Sequence, residues 1–163
     1  MSDRAGRPTA LAEAEVLAGR WRRDGRTIVT SNGSFDLLHV GHVRYLQEAA
    51  AQGDCLIVGL NSDASVRANK GPARPIVPEA QRAEMLLALR CVDAVVVFDA
   101  PTPLAFLRAV RPHVHVNGAE YGADCVEAPL LAEWGARLHL VPRIEGLSSS
   151  ALLERAARAA AGS

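Results

Sequence analysis

Apolar positions along the chain fall into two kinds of segment. Short continuous runs cover 27–30, 55–60, 92–98, 114–116 and 137–141, and each has strand length. The run 55–60 is unbroken, as expected of a parallel strand covered on both faces. Between the runs, apolar residues recur at helical spacing. Leu11, Val16 and Leu17 mark a helix over 9–19; Val43, Leu46 and Ala50 mark one over 43–52. A short helix carries Val66 and Ala68, with Ser62 or Asp63 as its cap, and another runs from about Pro78 with Met85, Leu86 and Leu89 on one face. A loop and helix fill 99–110, where Thr102 and Pro103 resemble an N-cap and first turn; further helices are predicted over 126–134 and 151–160. Five strands alternating with helices predict an α/β domain with a parallel sheet and right-handed crossovers. A length of 163 residues suits one such domain, which we place at 26–163, after an N-terminal helix and loop at 1–25.

The stretch 31–42, Ser-Asn-Gly-Ser-Phe-Asp-Leu-Leu-His-Val-Gly-His, lies between the first strand and the helix that follows it. The first turn of a helix carries unpaired N–H groups and the positive end of its dipole, so it favours anions. Gly33 and Gly41 let backbone approach a ligand where a Cβ would collide. His39 and His42 flank Gly41 and can both point at one phosphate, each with a ring nitrogen able to donate to an oxygen that gains charge. The plainer alternative is that the rings cap the helix or fill space. Their place at the carboxyl end of the first strand, where open α/β sheets bind ligands, favours the functional reading. Zinc is disfavoured, because no third ligand is near in sequence and the cysteines are scattered.

Other polar segments stand at strand ends. The loop 69–75 carries Lys70 and Arg74; it is either an ordinary exposed basic loop or an arm that closes on a triphosphate. Arg82 falls on or beside the inner face of its helix, where a charge needs a phosphate or carboxylate partner. His113 and His115 alternate about the fourth strand and are read as structural. Ser148, Ser149 and Ser150 precede the last helix, a sequence that caps helices wherever it occurs.

The residues 33–42 resemble the G-x-F-D-x-x-H-x-G-H signature of the cytidylyltransferase-like nucleotidyltransferases, and most of the chain is similar to their heptose 1-phosphate adenylyltransferase group. Arg143, Gly146 and the three serines resemble the same family's R-x-x-G-x-S-T-S/T motif, and Lys70 and Arg82 match its basic positions. The resemblance implies a Rossmann-like, doubly wound sheet of order 3-2-1-4-5. It implies that His39, His42, Lys70 and Arg143 are catalytic. It also implies that Asn32, Gly33, Ser34, Phe35, Gly41, Asn117, Gly118, Glu120, Gly146, Ser148, Ser149 and Ser150 bind the nucleotide. Asp36, Asp63 and Arg82 are expected on the acceptor's side. The implied reaction joins an NMP from an NTP to a phosphorylated small-molecule acceptor, with Mg²⁺ carried on the triphosphate, and the implied assembly is a homodimer. ATP with a sugar 1-phosphate is favoured; CTP with a small polyol phosphate such as glycerol 3-phosphate is the alternative. One departure bears on that choice. The heptose group reads V-K-G-G-D-Y after the fourth strand, where this chain has Val116-Asn117-Gly118-Ala119-Glu120-Tyr121.

Composition adds little chemistry. Lysine plus arginine equals aspartate plus glutamate at 18 each, so nothing in the charge points to nucleic acid or a membrane surface. No apolar run approaches the ~20 residues of a spanning helix, and 1–8 lack the apolar core of a signal peptide. Cys55, Cys91 and Cys125 lie in or beside apolar stretches, which fits reduced thiols and a cytoplasmic protein.

Overall fold

A computed structural model describes residues 7–142 and 144–162. Five strands, β1 (Ile28–Gly33), β2 (Cys55–Asn61), β3 (Ala94–Phe98), β4 (Val114–Gly118) and β5 (Arg137–Val141), form one all-parallel sheet. Its order is β3-β2-β1-β4-β5, the doubly wound arrangement expected from the sequence. The helices are α1 (Leu11–Arg23), α2 (Val40–Ala50), α3 (Asp63–Lys70), α4 (Glu79–Ala88), α5 (Leu104–Val110), α6 (Ala128–Glu133) and α7 (Ser149–Ala161).

The alternation of side chains along β2 builds a core on each face of the sheet. Leu56, Val58 and Leu60 pack with Leu46 and Ala49 of α2 and Ala83 and Leu86 of α4. Cys55 and Ile57 pack on the opposite face with Ala14, Ala18 and Trp21 of α1 and Phe106 and Leu107 of α5. That two-sided burial is why β2 reads as a continuous apolar run. Gly59 is the exception: a Cβ there would stand 2.9 Å from the Phe106 ring, so the small residue lets α5 approach the sheet.

Several boundaries differ from the periodicity, each for a local reason. β1 continues through Ser31, Asn32 and Gly33, polar or small residues that pair in register with Val58, Gly59 and Leu60. α2 begins at Val40, three residues before the expected start at Val43, because His39 supplies the N-cap. β3 begins at Ala94, not Val92. Asp93 donates its N–H to the Leu56 carbonyl at 3.0 Å, but its carboxylate, not a backbone carbonyl, accepts the Leu56 N–H at 2.8 Å. Pro103, not Thr102, occupies the N-cap position of α5. α7 takes in Ser149 and Ser150, with Ser148 as its cap. No described helix is long and apolar enough to cross a membrane.

His113 and His115 both bond to β1: His113 Nδ1 accepts the Ile28 N–H at 2.8 Å, and His115 Nδ1 lies 2.9 Å from Thr30 Oγ1. His115 is fully buried, and burial pushes its imidazole from 6.5 down to about 4. Below pH 6.5 the unfolded chain therefore takes up a proton that the folded chain refuses, so stability falls with pH. This one site should cost roughly 2–3 kcal/mol between pH 7 and 4.5. Urea unfolding at the two pH values measures the loss, and a His115→Asn variant should lose less on acidification.

Candidate active site

The carboxyl ends of β1, β4 and β5 open into a cleft of about 1050 Å³ between the starts of α2 and α7. The turn that enters it is strained: Phe35 (φ 45°) and Leu37 (φ 51°) both adopt the left-handed conformation that bulky residues avoid. Asp36, between them, holds the turn. Its buried carboxylate accepts Arg74 Nε at 2.8 Å and the Ile76 and Val77 N–H groups at 2.9 Å each. Burial alone would raise this carboxyl; the two backbone donors and the Arg74 guanidinium outweigh it and keep it below the ordinary value. Ser149 donates to the Asp36 carbonyl, so the same residue ties the start of α7 to the turn.

Two imidazoles close the start of α2. His39 Nδ1 accepts the Gly41 N–H at 3.1 Å, and the His39 N–H faces His42 Nδ1 at 3.4 Å. This is a capping box built from histidines instead of hydroxyl and carboxylate. The rings stack, with centroids 3.9 Å apart and planes 26° from parallel, and Phe35 meets His42 edge-on at 5.5 Å. Using Nδ1 as acceptor assigns the proton of each neutral ring to Nε2. His39 Nε2 is buried without a partner and its ring lines the cleft. Burial, then the neighbouring His39 and Lys70, hold His42 down to about 4, and burial lowers His39 as well. Both rings are thus neutral donors at pH 7. They offer N–H groups without a charged ground state to desolvate. Gly41 permits the stacking: a Cβ there would lie 2.9 Å from two His39 ring atoms and 3.0 Å from Leu147 Cβ.

The other sequence-derived residues divide into those at the cleft and those behind it. Asn32, Gly33, Ser34, Phe35, Asp36, Gly41, Lys70, Asn117, Gly118, Glu120, Ser148, Ser149 and Ser150 line it together with the two histidines. Ser148 Oγ accepts the Ala151 N–H at 3.1 Å and caps α7. Gly146 turns the preceding loop with φ 74° and does not line the cleft. Arg143 lies outside the described residues. Lys70 is an exposed residue at the rim. Partial burial of its ammonium, the Arg74 cation and the Arg82 cation lower it, and Asp36 opposes them.

Asp63 and Arg82 stand behind the cleft wall. Arg82 is 1% exposed and spends its guanidinium on the Val77, Ser34 and Asn61 carbonyls and on Asp63 Oδ1 at 2.7 Å. Asp63 Oδ1 also accepts the Glu79 N–H, and Glu79 Oε2 accepts the Asp63 N–H. The carboxylate that Arg82 requires is therefore Asp63, and the pair locks β2, α4 and the 74–77 loop to the signature turn.

Among the cleft residues that sequence reasoning passed over are Tyr45, Arg44 and Glu127. Tyr45 OH bridges Ser31 Oγ (2.7 Å) and the Val116 carbonyl (3.0 Å), pinning β1 to β4; its spacing of three from His42 is the only sequence signal. Arg44 lines the cleft beside it, and Glu127 does so from the N-cap position of α6.

The family model described as cytidylyltransferase-like matches residues 31–155. The chain is 52% identical to the bifunctional protein HldE of Streptomyces coelicolor, the match covering 96% of this chain and 35% of that protein. It is 50% identical to the HldE of Syntrophotalea carbinolica, over 82% of this chain and 28% of that one. The chain thus spans about a third of the length of these relatives. A crystal structure titled as the lipopolysaccharide core biosynthesis protein of Thermoplasma volcanium superimposes with a TM-score of 0.60 at 28% identity, covering 74% of this chain and 98% of that one. With the H-x-G-H pair seated at the helix start and the family match running from β1 into α7, the chain belongs to the cytidylyltransferase-like family of nucleotidyltransferases.

Proposed function

We propose that this chain transfers a nucleoside monophosphate from an NTP to the phosphate of a sugar 1-phosphate, with ATP as donor and a heptose 1-phosphate as the favoured acceptor. The observation that carries this reading is the pair of neutral, Nε2-protonated imidazoles at the start of α2, facing the start of α7 across one cleft. An oxygen of the acceptor phosphate attacks the α-phosphorus in line. A new P–O bond forms, the bond from that phosphorus to the α–β bridging oxygen breaks, and its electron pair leaves with pyrophosphate. The acceptor is already anionic at pH 7, so no enzyme nucleophile is required. The protein's work is positioning and charge stabilisation.

In this reading His39 and His42 donate to the oxygens of the reacting phosphorus, and Lys70, Arg143 and the serines at α7 neutralise pyrophosphate. Asp36, Asp63 and Arg82 hold the walls instead of touching the acceptor. Mg²⁺ enters with the triphosphate as part of the substrate, held by phosphate oxygens and water. The Asp36 carboxylate, the acidic group nearest the histidines in sequence, is already engaged by three donors.

The name of the structural neighbour, a lipopolysaccharide core biosynthesis protein, supports a saccharide acceptor; Asn117 and Glu120 at the β4 turn, and Glu145 before Gly146, keep CTP with a small polyol phosphate as the second reading. A panel of ATP, CTP, GTP and UTP against heptose 1-phosphate and glycerol 3-phosphate, followed by pyrophosphate release, separates the two. Release with ATP and heptose 1-phosphate is the expected result. Release only with CTP and glycerol 3-phosphate would establish the second reading, and no release with any pair would overturn both.

A further inference from the structure

Glu127 is 4% exposed, lines the cleft, and carries an oxygen, Oε2, with no hydrogen-bond partner. A buried acceptor left unsatisfied costs free energy that a native protein ordinarily avoids. Its neighbours do not meet the need. The carboxylate lies beside the Cys125 thiol, which burial and then Glu127 push upward, so the thiol keeps its proton. The Asn117 amide also touches Cys125, and its oxygen accepts the Gly118 N–H at 3.1 Å. Oε2 is thus left without a protein donor, on a side chain that lines the cleft.

The chemistry of that donor is restricted. A carboxylate repels the triphosphate, whose anchors are at the starts of α2 and α7. Glu127 stands instead beside the end of β4, where Val126 and Tyr121 are 51% and 63% exposed and lie on the cleft wall. Flat apolar surface beside a buried, donor-seeking carboxylate suits a heteroaromatic ring that carries an amino group.

We propose that Glu127 reads the exocyclic amino group of the nucleotide base, so that the site takes 6-amino purines or 4-amino pyrimidines and rejects their keto counterparts. This rests on the nucleotidyl-transfer reading but holds whichever of ATP or CTP is the donor. Rejection comes from placing a keto oxygen against a buried carboxylate that already lacks a donor, a penalty on the wrong base as well as a gain for the right one. Sites built around such a bond discriminate strongly against analogues that lack it.

Equilibrium binding by calorimetry, without acceptor, tests it with four nucleotides: ATP against ITP and CTP against UTP. The wild-type chain should bind the amino member of the preferred pair at least about 30-fold more tightly than its keto partner. A Glu127→Leu variant should lose that preference to within about threefold, by weakening the amino nucleotide and tightening the keto nucleotide as the repelling carboxylate is removed. Glu127→Gln keeps an acceptor oxygen and should retain part of the preference, which secures the test if the leucine variant folds poorly. Equal wild-type affinity for both members, or a parallel loss of both in the variants, overturns the inference. So does weakened binding of 2′-deoxy-ATP that is abolished as a difference by Glu127→Leu, since the carboxylate would then be holding a sugar hydroxyl. Failure of all four nucleotides to bind is a different outcome, and it overturns the nucleotidyl-transfer reading together with this one.

Discussion

Replacing His42 with alanine is expected to lower kcat by about 10²-fold or more, with a smaller change in KM for the nucleotide. His42 sits in the first turn of α2 with its Nδ1 turned toward the His39 N–H, so its remaining ring nitrogen is the one that presents a proton to the cleft. A donor aimed at a phosphorus whose oxygens gain charge contributes most in the transition state, which is why kcat carries the loss. Burial holds the ring neutral, down to about 4, so the donor role persists unchanged from pH 8 to pH 6. The measurement is steady-state pyrophosphate release. His42→Gln, which offers an amide N–H in a similar place, should recover about tenfold of the deficit. Near-normal turnover in His42→Ala would remove the ring from the chemistry.

The second large effect is on stability. Arg82→Met should destabilise the fold by about 3 kcal/mol, near the low end for breaking a buried ion pair because Asp63 is itself partly exposed. Methionine fills much of the volume but donates nothing. The Val77, Ser34 and Asn61 carbonyls and the Asp63 carboxylate would each lose a partner at once. Urea denaturation measures the change. Adding Asp63→Asn to Arg82→Met should recover about 1 kcal/mol, since the stranded charge is then gone. A loss below about 1 kcal/mol in the single variant would show that water replaces the guanidinium freely.

The architecture is legible because its strands are continuous apolar runs, β2 most clearly, and its helices carry period-3.6 stripes such as Val43, Leu46 and Ala50. The site was legible in part because His39, Gly41 and His42 are adjacent in sequence and share a helix start. What stayed hidden depends on partners far along the chain. Asp36 is expected on the acceptor's side, yet it is the anchor of residues 38 to 41 positions away. Arg82 reads as an unpaired charge near a ligand, and only the fold brings Asp63 and three carbonyls to it. The left-handed Phe35 and Leu37 carry no local signal, since neither residue type favours that conformation. α2 is expected to start at Val43, not Val40, because histidine is not among the usual N-caps. Glu127 lay in an unremarkable acidic position until β4 and α6 enclosed it.

The account stands on where the triphosphate is held. A crystal structure with α,β-methylene-ATP, which cannot release pyrophosphate, locates it directly. The α-phosphate should sit within hydrogen-bond distance of Nε2 of both His39 and His42, with the outer phosphates at the start of α7. A triphosphate bound elsewhere, with both imidazoles left unengaged, would contradict the account.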